Sequence, residues 1–484
     1  MTNISKIKLP NNEIGVIRDA LSVHGDITDI LQYTLSEYTN LTTKDSDILY
    51  VVSMGNDIYN IYKGSELISN GELTELATEK DIDGLFVSDI SMYDANGKRM
   101  ARRSTANCYV VRDTGIYRFP LVYGNAIKNG LINSAAYTKV ESNYGADFVN
   151  HLGNLITNPF IENNSGCTPN QVGLLWQTSV GMISDVGLYS GGDCKYIEFT
   201  VSAVPTTNGV AVLYVTDSNN NIMWSWMIWV TDDDLSDITI VNNTSISYNL
   251  LGLPLGAIWN SERTRYSVPH FQWGRKDPMC PPSAYNSTSN MTLYDINGDV
   301  YNGFGNQTGT TVADSIKLPN KFFTQYDTTS YNWNNLSWFN NFWNAAETAN
   351  SSIGDNQHSA VKTIYDPCPV NHMLPASRFA TGFTTTGGNT STLSEFNVIG
   401  DWSNGWTMKK NSSDTVGLYF PAAGYRSRES GGLRYVGSYG NWWTFAPDSK
   451  TYAHYLYFHS TNVYPLYYYN RAHGFGVWPT KELN

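Results

Sequence analysis

The chain has 484 residues, 41% hydrophobic and 15% charged, with a formal net charge of -12. That length predicts two to four domains with real cores, and the acidic balance excludes recognition of a phosphate backbone, so no nucleic-acid partner is expected. Charge gives way to 33 Tyr and 40 Gly and to Asn, Ser and Thr, the profile of β-rich, loop-rich proteins displayed on surfaces.

The first residues, MTNISKIKLPNNEIG, lack the apolar centre of a signal peptide and carry no lipidation cysteine. Within them ISKIKLP reads as a short strand ended by Pro10. Ile27, Ile30, Leu31, Leu35 and Tyr38 then recur at helical spacing behind Gly25-Asp26 as a cap, which predicts a short helix with one apolar stripe. Such a stripe packs either on its own domain or against copies of itself, and Ile27, Ile30, Leu31 and Leu35 are the candidate oligomerisation residues. DILYVV and IYNIYKGSELI (Asp47–Val52 and Ile58–Ile68) read as two strands joined at SMGND. Residues 1–70 are thus expected to form a small module.

Residues 71–105 read as a linker carrying a hairpin at YDANGKR. From 106 to 232 strand signals recur at short intervals in NCYVV, GIYRFPLV, YIEFTVSAV, VAVLYVT and IMWSWMIWV, with a turn at TDSNNNI. This spacing predicts a β-sandwich. Trp224, Trp226 and Ile228 fall on one face of the last strand and Met223, Met227 and Trp229 on the other, which predicts burial on both sides.

Residues 233–484 hold most of the tryptophans, with short strand-like pieces and long polar loops. Asn332–Ala349 is the best helix candidate, with Trp338, Phe339 and Phe342 on one side. TDDDLSD (Thr231–Asp237) and DINGDVYNG (Asp295–Gly303) are acidic enough to suggest a cation. Val300 replaces the glycine a calcium loop needs and Asn306 its closing glutamate, so a solvated turn and a hairpin are expected, with no metal or other cofactor. Trp273 and Arg275 in QWGRKDP read as framework, Arg275 pairing a buried carboxylate. No G-x-S-x-G, H-E-x-x-H or phosphate-cradling loop occurs, and a non-enzyme is expected. Five scattered cysteines without C-x-x-C form neither a disulfide framework nor a zinc site.

STNVYPLYYYNRAHGFGVW (Ser460–Trp478) shows no clean period, and tyrosine offers a large, rigid, amphipathic contact surface at low rotamer cost. Tyr464, Tyr467, Tyr468, Tyr469, Asn470 and His473 are therefore candidate ligand-binding residues. Tyr439 and Trp442, in and after the Gly-rich VGSYGN, join them, Trp442 and Trp443 being half core and half platform.

Six separated stretches carry a resemblance: Ala106–Ala126 (ANCYVVRDTGIYRFPLVYGNA), Asn221–Asp232 (NIMWSWMIWVTD), Phe271–Pro278 (FQWGRKDP), Lys362–Phe379 (KTIYDPCPVNHMLPASRF), Leu418–Thr444 (LYFPAAGYRSRESGGLRYVGSYGNWWT) and Arg471–Glu482 (RAHGFGVWPTKE). Their order resembles the Fibrobacter succinogenes major paralogous domain of Bacteroidales surface proteins and their phages. The resemblance implies an α+β scaffold like C-type lectins and formylglycine-generating enzymes over residues 233–484, with HSTNVYPLYYYNRAH as a ligand-facing loop. Trp478 stands where that family usually carries Arg, and Cys368 is alone after Cys280, so the two-cysteine chemistry of those enzymes is not implied. Residues 1–70 are similar to N-terminal modules of phage virion proteins. The implied protein is a homo-oligomeric head fibre, a trimer before a dimer, made in the host cytoplasm and released by lysis. Its N-terminal module binds capsid or other virion proteins, and its C-terminal domain binds a host surface glycan or protein. No membrane insertion is expected. A tail fibre, a bacterial adhesin and a polysaccharide depolymerase are the alternatives.

Overall fold

The computed structural model describes residues 87–191, 194–329, 331–355 and 359–483, and, further N-terminal, 7–8, 14–15, 29–44, 48–55, 58–63 and 65–72. The chain is β-rich, built from several separate sheets with few and short helices. Among the described residues no helix is long and apolar enough to cross a membrane.

Within ISKIKLP the described residues form β1 (Ile7–Lys8), paired with β2 (Ile14–Gly15). The expected helix after Asp26 is mostly a strand: β3 (Asp29–Thr34) runs parallel to β4 (Ile48–Gly55), and only α1 (Leu35–Thr39) is helical. Ile30 and Leu31 thus lie on β3, while Ile27 lies outside the described residues. The apolar spacing fitted a helix, but isoleucine and aromatic residues beside a second apolar segment are equally suited to a ladder. Nor is the stripe one face, because Leu35 is 43% exposed whereas Tyr38 is buried with Val52 and stacks on Tyr62. β4 and β5 (Ile58–Lys63) pair antiparallel as the two expected strands, Asn56 and Asp57 of SMGND lying outside the described residues, and β5 pairs antiparallel with β6 (Glu66–Glu72), splitting one expected strand into two.

Two four-stranded sheets follow. Their strands are β7 (Val87–Asp89), β8 (Cys108–Val111), β9 (Gly115–Pro120), β12 (Gln171–Gln177), β13 (Ile183–Ser190), β14 (Lys195–Val201), β15 (Gly209–Thr216) and β16 (Ile222–Val230), while β10 (Ile127–Lys128) and β11 (Leu131–Ile132) make a separate small hairpin. One sheet has the order β12-β15-β16-β8 and the other β13-β14-β9-β7. All five expected strands are present, and β12 and β13 are additional. The sheets meet through Phe119 of β9 and Trp226 of β16, whose rings are 5.1 Å apart. Residues Met223–Val230 are buried on both faces, as their alternation predicted. The turns at YDANGKR and TDSNNNI form, the first closed by a Tyr93–Arg99 bridge and the second by Asp217, whose carboxylate accepts the Asn219 and Asn221 amides.

The rest of the chain is not set apart from these sheets. Cys108 bridges to Pro369, Trp224 stacks on Tyr365, and Asn341 exchanges two hydrogen bonds with Ala146 at 2.9 and 2.8 Å. One apolar cluster extends from Ile90 to Trp478. Asn332–Ala349 is not a helix. Its asparagines bind backbone instead: Asn334 accepts the Leu336 amide, Asn344 those of Ala346 and Val361, and Asn340 donates to Ala349. Short amide side chains competing for backbone in this way disfavour helix interiors. Trp333, Phe339, Phe342 and Trp343 are buried there all the same.

The remaining strands are short apart from β30, β31 and β32. β17 (Ile238–Val241) and β18 (Ser247–Leu250) form a hairpin, as do β19 (Ile258–Trp259) and β20 (Tyr266–Ser267). β21 (Phe271–Gln272) precedes a parallel pair, β22 (Gly305–Thr308) and β23 (Lys321–Thr324), which flank α2 (Val312–Lys317). β24 (His372–Met373), β25 (Val398–Ile399), β26 (Gly405–Lys409), β27 (Gly417–Pro421), β28 (Tyr425–Arg426) and β29 (Leu433–Arg434) lead to the last five: β30 (Gly440–Pro447), β31 (Tyr452–His459), β32 (Asn462–Asn470), β33 (Gly474–Phe475) and β34 (Thr480–Lys481).

Candidate functional site

The tyrosine segment is a strand rather than the expected loop. β32 is the outer strand of an antiparallel sheet ordered β30-β31-β32, pairing Tyr464 with Tyr457, Tyr467 with Tyr455, Tyr468 with His454 and Tyr469 with Ala453. Aromatic residues favour strands, and directly opposed aromatic pairs stabilise a sheet. Pro465 is tolerated because β32 lies at the edge of the sheet, where a missing N–H breaks no central ladder. At that point the register shifts, placing Pro465 and Leu466 opposite the single Leu456. This bulge explains why Tyr464 and Tyr467, three residues apart, face the same side.

Three of the four candidate tyrosines belong to one aromatic face. Tyr464 lies 5.3 Å from Tyr467 and 5.6 Å from Tyr457, and Tyr469 lies 6.3 Å from Tyr455. The face continues across the sheet to Tyr439, 5.6 Å from Tyr457, which stacks on Tyr435 at 4.3 Å. Tyr425 adjoins Tyr435 at 5.9 Å. Tyr435 is 48% exposed and Tyr469 38%, while Tyr439, Tyr457, Tyr464 and Tyr467 are half-buried. Tyr468 is exposed but sits with Tyr452 and His454 on the opposite side of the sheet.

The other candidates are not at the surface. Trp442 is fully buried against Trp478 and Phe420, and Trp443 is equally buried against Phe475, so neither offers a platform; every residue of β30 is enclosed on both faces. Asn470 is buried and accepts from Arg428 at 3.2 Å. His473 lies beneath Tyr469, ring centroids 4.7 Å apart, and burial pushes its imidazole down to about 3. His459 also joins this face, stacked on Tyr439 at 5.4 Å; Tyr425 and Tyr435 come from a different segment than Tyr457 and His459 of β31, and no local pattern announced that they meet.

Chemically the face is neutral. Burial and neighbouring rings raise the Tyr457 hydroxyl, and burial moves that of Tyr425 up to about 12. Aromatic planes and un-ionised hydroxyls suit stacking and hydrogen bonding rather than proton transfer or nucleophilic attack.

Elsewhere, acidic and nucleophilic groups serve the fold. Asp295 caps its own turn by accepting the Asn297 and Asp299 amides, giving the expected hairpin. In TDDDLSD, Asp233 accepts from Trp259 at 2.6 Å and pairs with Arg263, while Asp237 accepts from His372 at 2.8 Å, so these acids are bound internally rather than merely solvated. Arg275 pairs with buried Asp277 at 3.8 Å, as expected, and Trp273 is fully buried. Cys167 lies 4.0 Å from His151 Nδ1, and His151 Nε2 is 3.5 Å from Asp217, an order resembling a nucleophile, base and orienting acid. The thiol is 1% exposed and raised by burial, the reverse of what an activated cysteine requires. Among the described residues no three His, Cys, Asp or Glu side chains are placed to hold a metal ion.

No family model matches the chain, and no curated protein or solved structure matches it.

Proposed function

We propose that this protein is a non-enzymatic head fibre of a Bacteroidales phage, displaying a C-type-lectin-like domain for attachment to a host or mucosal surface. The observation that carries the proposal is the tyrosine face on β31 and β32 with Tyr435 and Tyr439. Partly exposed, uncharged and rigid, it has the chemistry of a recognition surface. In this reading the two four-stranded sheets form a β-sandwich spacer. Residues 1–70 attach the fibre to capsid or other virion proteins, and three copies present their faces together to gain avidity.

The test is attachment of purified protein to host cells. Replacing Tyr435, Tyr439, Tyr464 and Tyr467 together by Ser leaves the protein folded and weakens attachment by about a hundredfold or more, since aromatic hot spots contribute about 2 kcal/mol each and two of them already account for that loss. Undiminished attachment by the folded variant removes the face from the proposal. Electron microscopy of particles labelled with an antibody to the protein tests the location, and label absent from the heads overturns the head-fibre assignment.

A further inference from the structure

A second site lies apart from the tyrosine face. The β19–β20 hairpin and the β25-β26-β27 sheet enclose a cleft of about 260 Å³, lined by Trp259, Arg265, Asp401, Thr407 and Tyr419 among others. We propose that this cleft binds the carboxylate of an acidic monosaccharide unit, such as a uronic or sialic acid residue of a glycan.

The argument starts from Arg265. Its guanidinium lies over the Tyr419 ring, 4.6 Å from the centroid, and Tyr419 is itself held by hydrogen bonds to the Ser403 and Asn404 carbonyls at 2.9 and 3.0 Å. Three of the five guanidinium N–H groups are used: Nε to Ser403 O, one on Nη1 to Thr264 O and one on Nη2 to Ser403 Oγ. Five minus three leaves two, one on each terminal nitrogen, the pair that grips a carboxylate bidentately. All three partners are neutral, and among the described residues no carboxylate makes an ion pair with Arg265. Its neighbour differs: Arg263 is paired with Asp233 and Asp232 and is not available. Arg265 is thus a cation held in place by neutral partners, with no carboxylate among the described residues at ion-pair distance, Asp401 of the same cleft included.

The rest of the lining selects a polyol. Asp401 is exposed and makes no ion pair among the described residues, so it is free to accept sugar hydroxyls. Thr264 and Thr407 add hydroxyl groups, and Trp259, its indole N–H fixed on Asp233 at 2.6 Å, adds an apolar wall. A carboxylate clamp, hydroxyl acceptors and an aromatic wall in one cleft of this size match a single acidic sugar.

Ligand-observed NMR with D-glucuronate, D-galacturonate and N-acetylneuraminate tests this, with their methyl esters, acetate and glutamate as controls. At least one acid binds, its ester binds about tenfold or more weakly, and Arg265→Gln and Arg265→Lys each weaken the acid by about tenfold or more, since Lys keeps the charge but loses the fork. Thr407→Phe, which fills the cleft and leaves the Arg265 bonds alone, abolishes binding. The proposal is overturned by no binding of any acid, by equal binding of an ester, by acetate or glutamate binding as well as the sugars, or by folded Arg265 and Thr407 variants that bind normally. Because the readout is the free sugar and not host attachment, failure here and failure of the tyrosine face are separate results.

Discussion

The indole N–H of Trp224 donates to Asn107 Oδ1 at 3.0 Å, in a place where both side chains are buried. The same amide donates to the Ile364 and Asp366 carbonyls at 2.6 and 2.7 Å. One asparagine therefore ties β16 to a loop that lies 257 residues beyond the asparagine itself. Asn107→Ala leaves a donor and two acceptors unpaired in the interior and lowers unfolding stability by about 3 kcal/mol or more. A shift in denaturant midpoint at unchanged slope checks it; a neutral result would mean that water replaces the amide.

Gly424, in the PAAGYR stretch, has φ +68°, and a Cβ there would stand 2.5 Å from the Arg434 carbonyl. Gly424→Ala meets both backbone strain and a backbone clash, and costs about 2 kcal/mol or more in thermal or chemical unfolding.

The two sides of the β31–β32 sheet separate recognition from stability. Tyr468→Ser, on the side away from the tyrosine face, leaves host attachment within about twofold of the parent protein. Tyr455 is buried, and Tyr455→Ser destabilises by about 3 kcal/mol. Melting and attachment measured on both variants distinguish these roles.

Acid weakens the protein. His270 and His473 are held neutral by burial, each pushed down to about 3. The unfolded chain takes up these protons from about pH 6.5 downward whereas the folded one does not, so the stability they contribute is complete above pH 6.5 and is lost as pH falls toward 3. Asp366 acts the other way, because burial raises it to about 6 and the folded state gains that proton first. Two protons against one leave these three groups a net loss on the order of 1 kcal/mol per pH unit between pH 6 and 4, and His151, His454 and His459, also lowered by burial, act in the same direction. Melting curves across that range show the fall, and His270→Gln flattens it.

All five cysteines are free and buried, with Cys280 raised to about 11. A thiol reagent such as Ellman's therefore labels none of them quickly in the native protein and all five after denaturation. Rapid native labelling of Cys167 would revive the nucleophile that its burial now rules out.

Strand content and hairpins were legible where local chemistry decides them. The two-sided burial of Met223–Val230 and the Asn-Gly turns needed no distant partner to be read. The errors came where partners decide. β3 became a strand because β4 lay beside it, and Asn332–Ala349 lost its helix to backbone groups its asparagines could reach. The tyrosine segment announced its surface role through composition, but its strand conformation and the opposite orientation of Tyr468 depend on β31 and on one bulge. Trp442 and His473 failed as surface candidates because enclosure comes from Trp478 and Phe475, residues that their own neighbourhoods do not reveal. The arginine cleft was invisible, since Arg265 and Tyr419 meet only through the fold.

Thr480 of β34 pairs with Leu250 of β18 on one side and Met373 of β24 on the other, and Trp478 donates to the Leu251 carbonyl at 2.7 Å. The sheet begun near residue 240 is therefore closed by a strand about 240 residues further along the chain. At translation rates of about 5–20 residues per second, roughly 10–50 s separate the synthesis of its first and last strands. Over that interval the edges of β18 and β24 that face β34 lack their partner, and an unpaired strand edge is a template for pairing with another chain until β34 has been made.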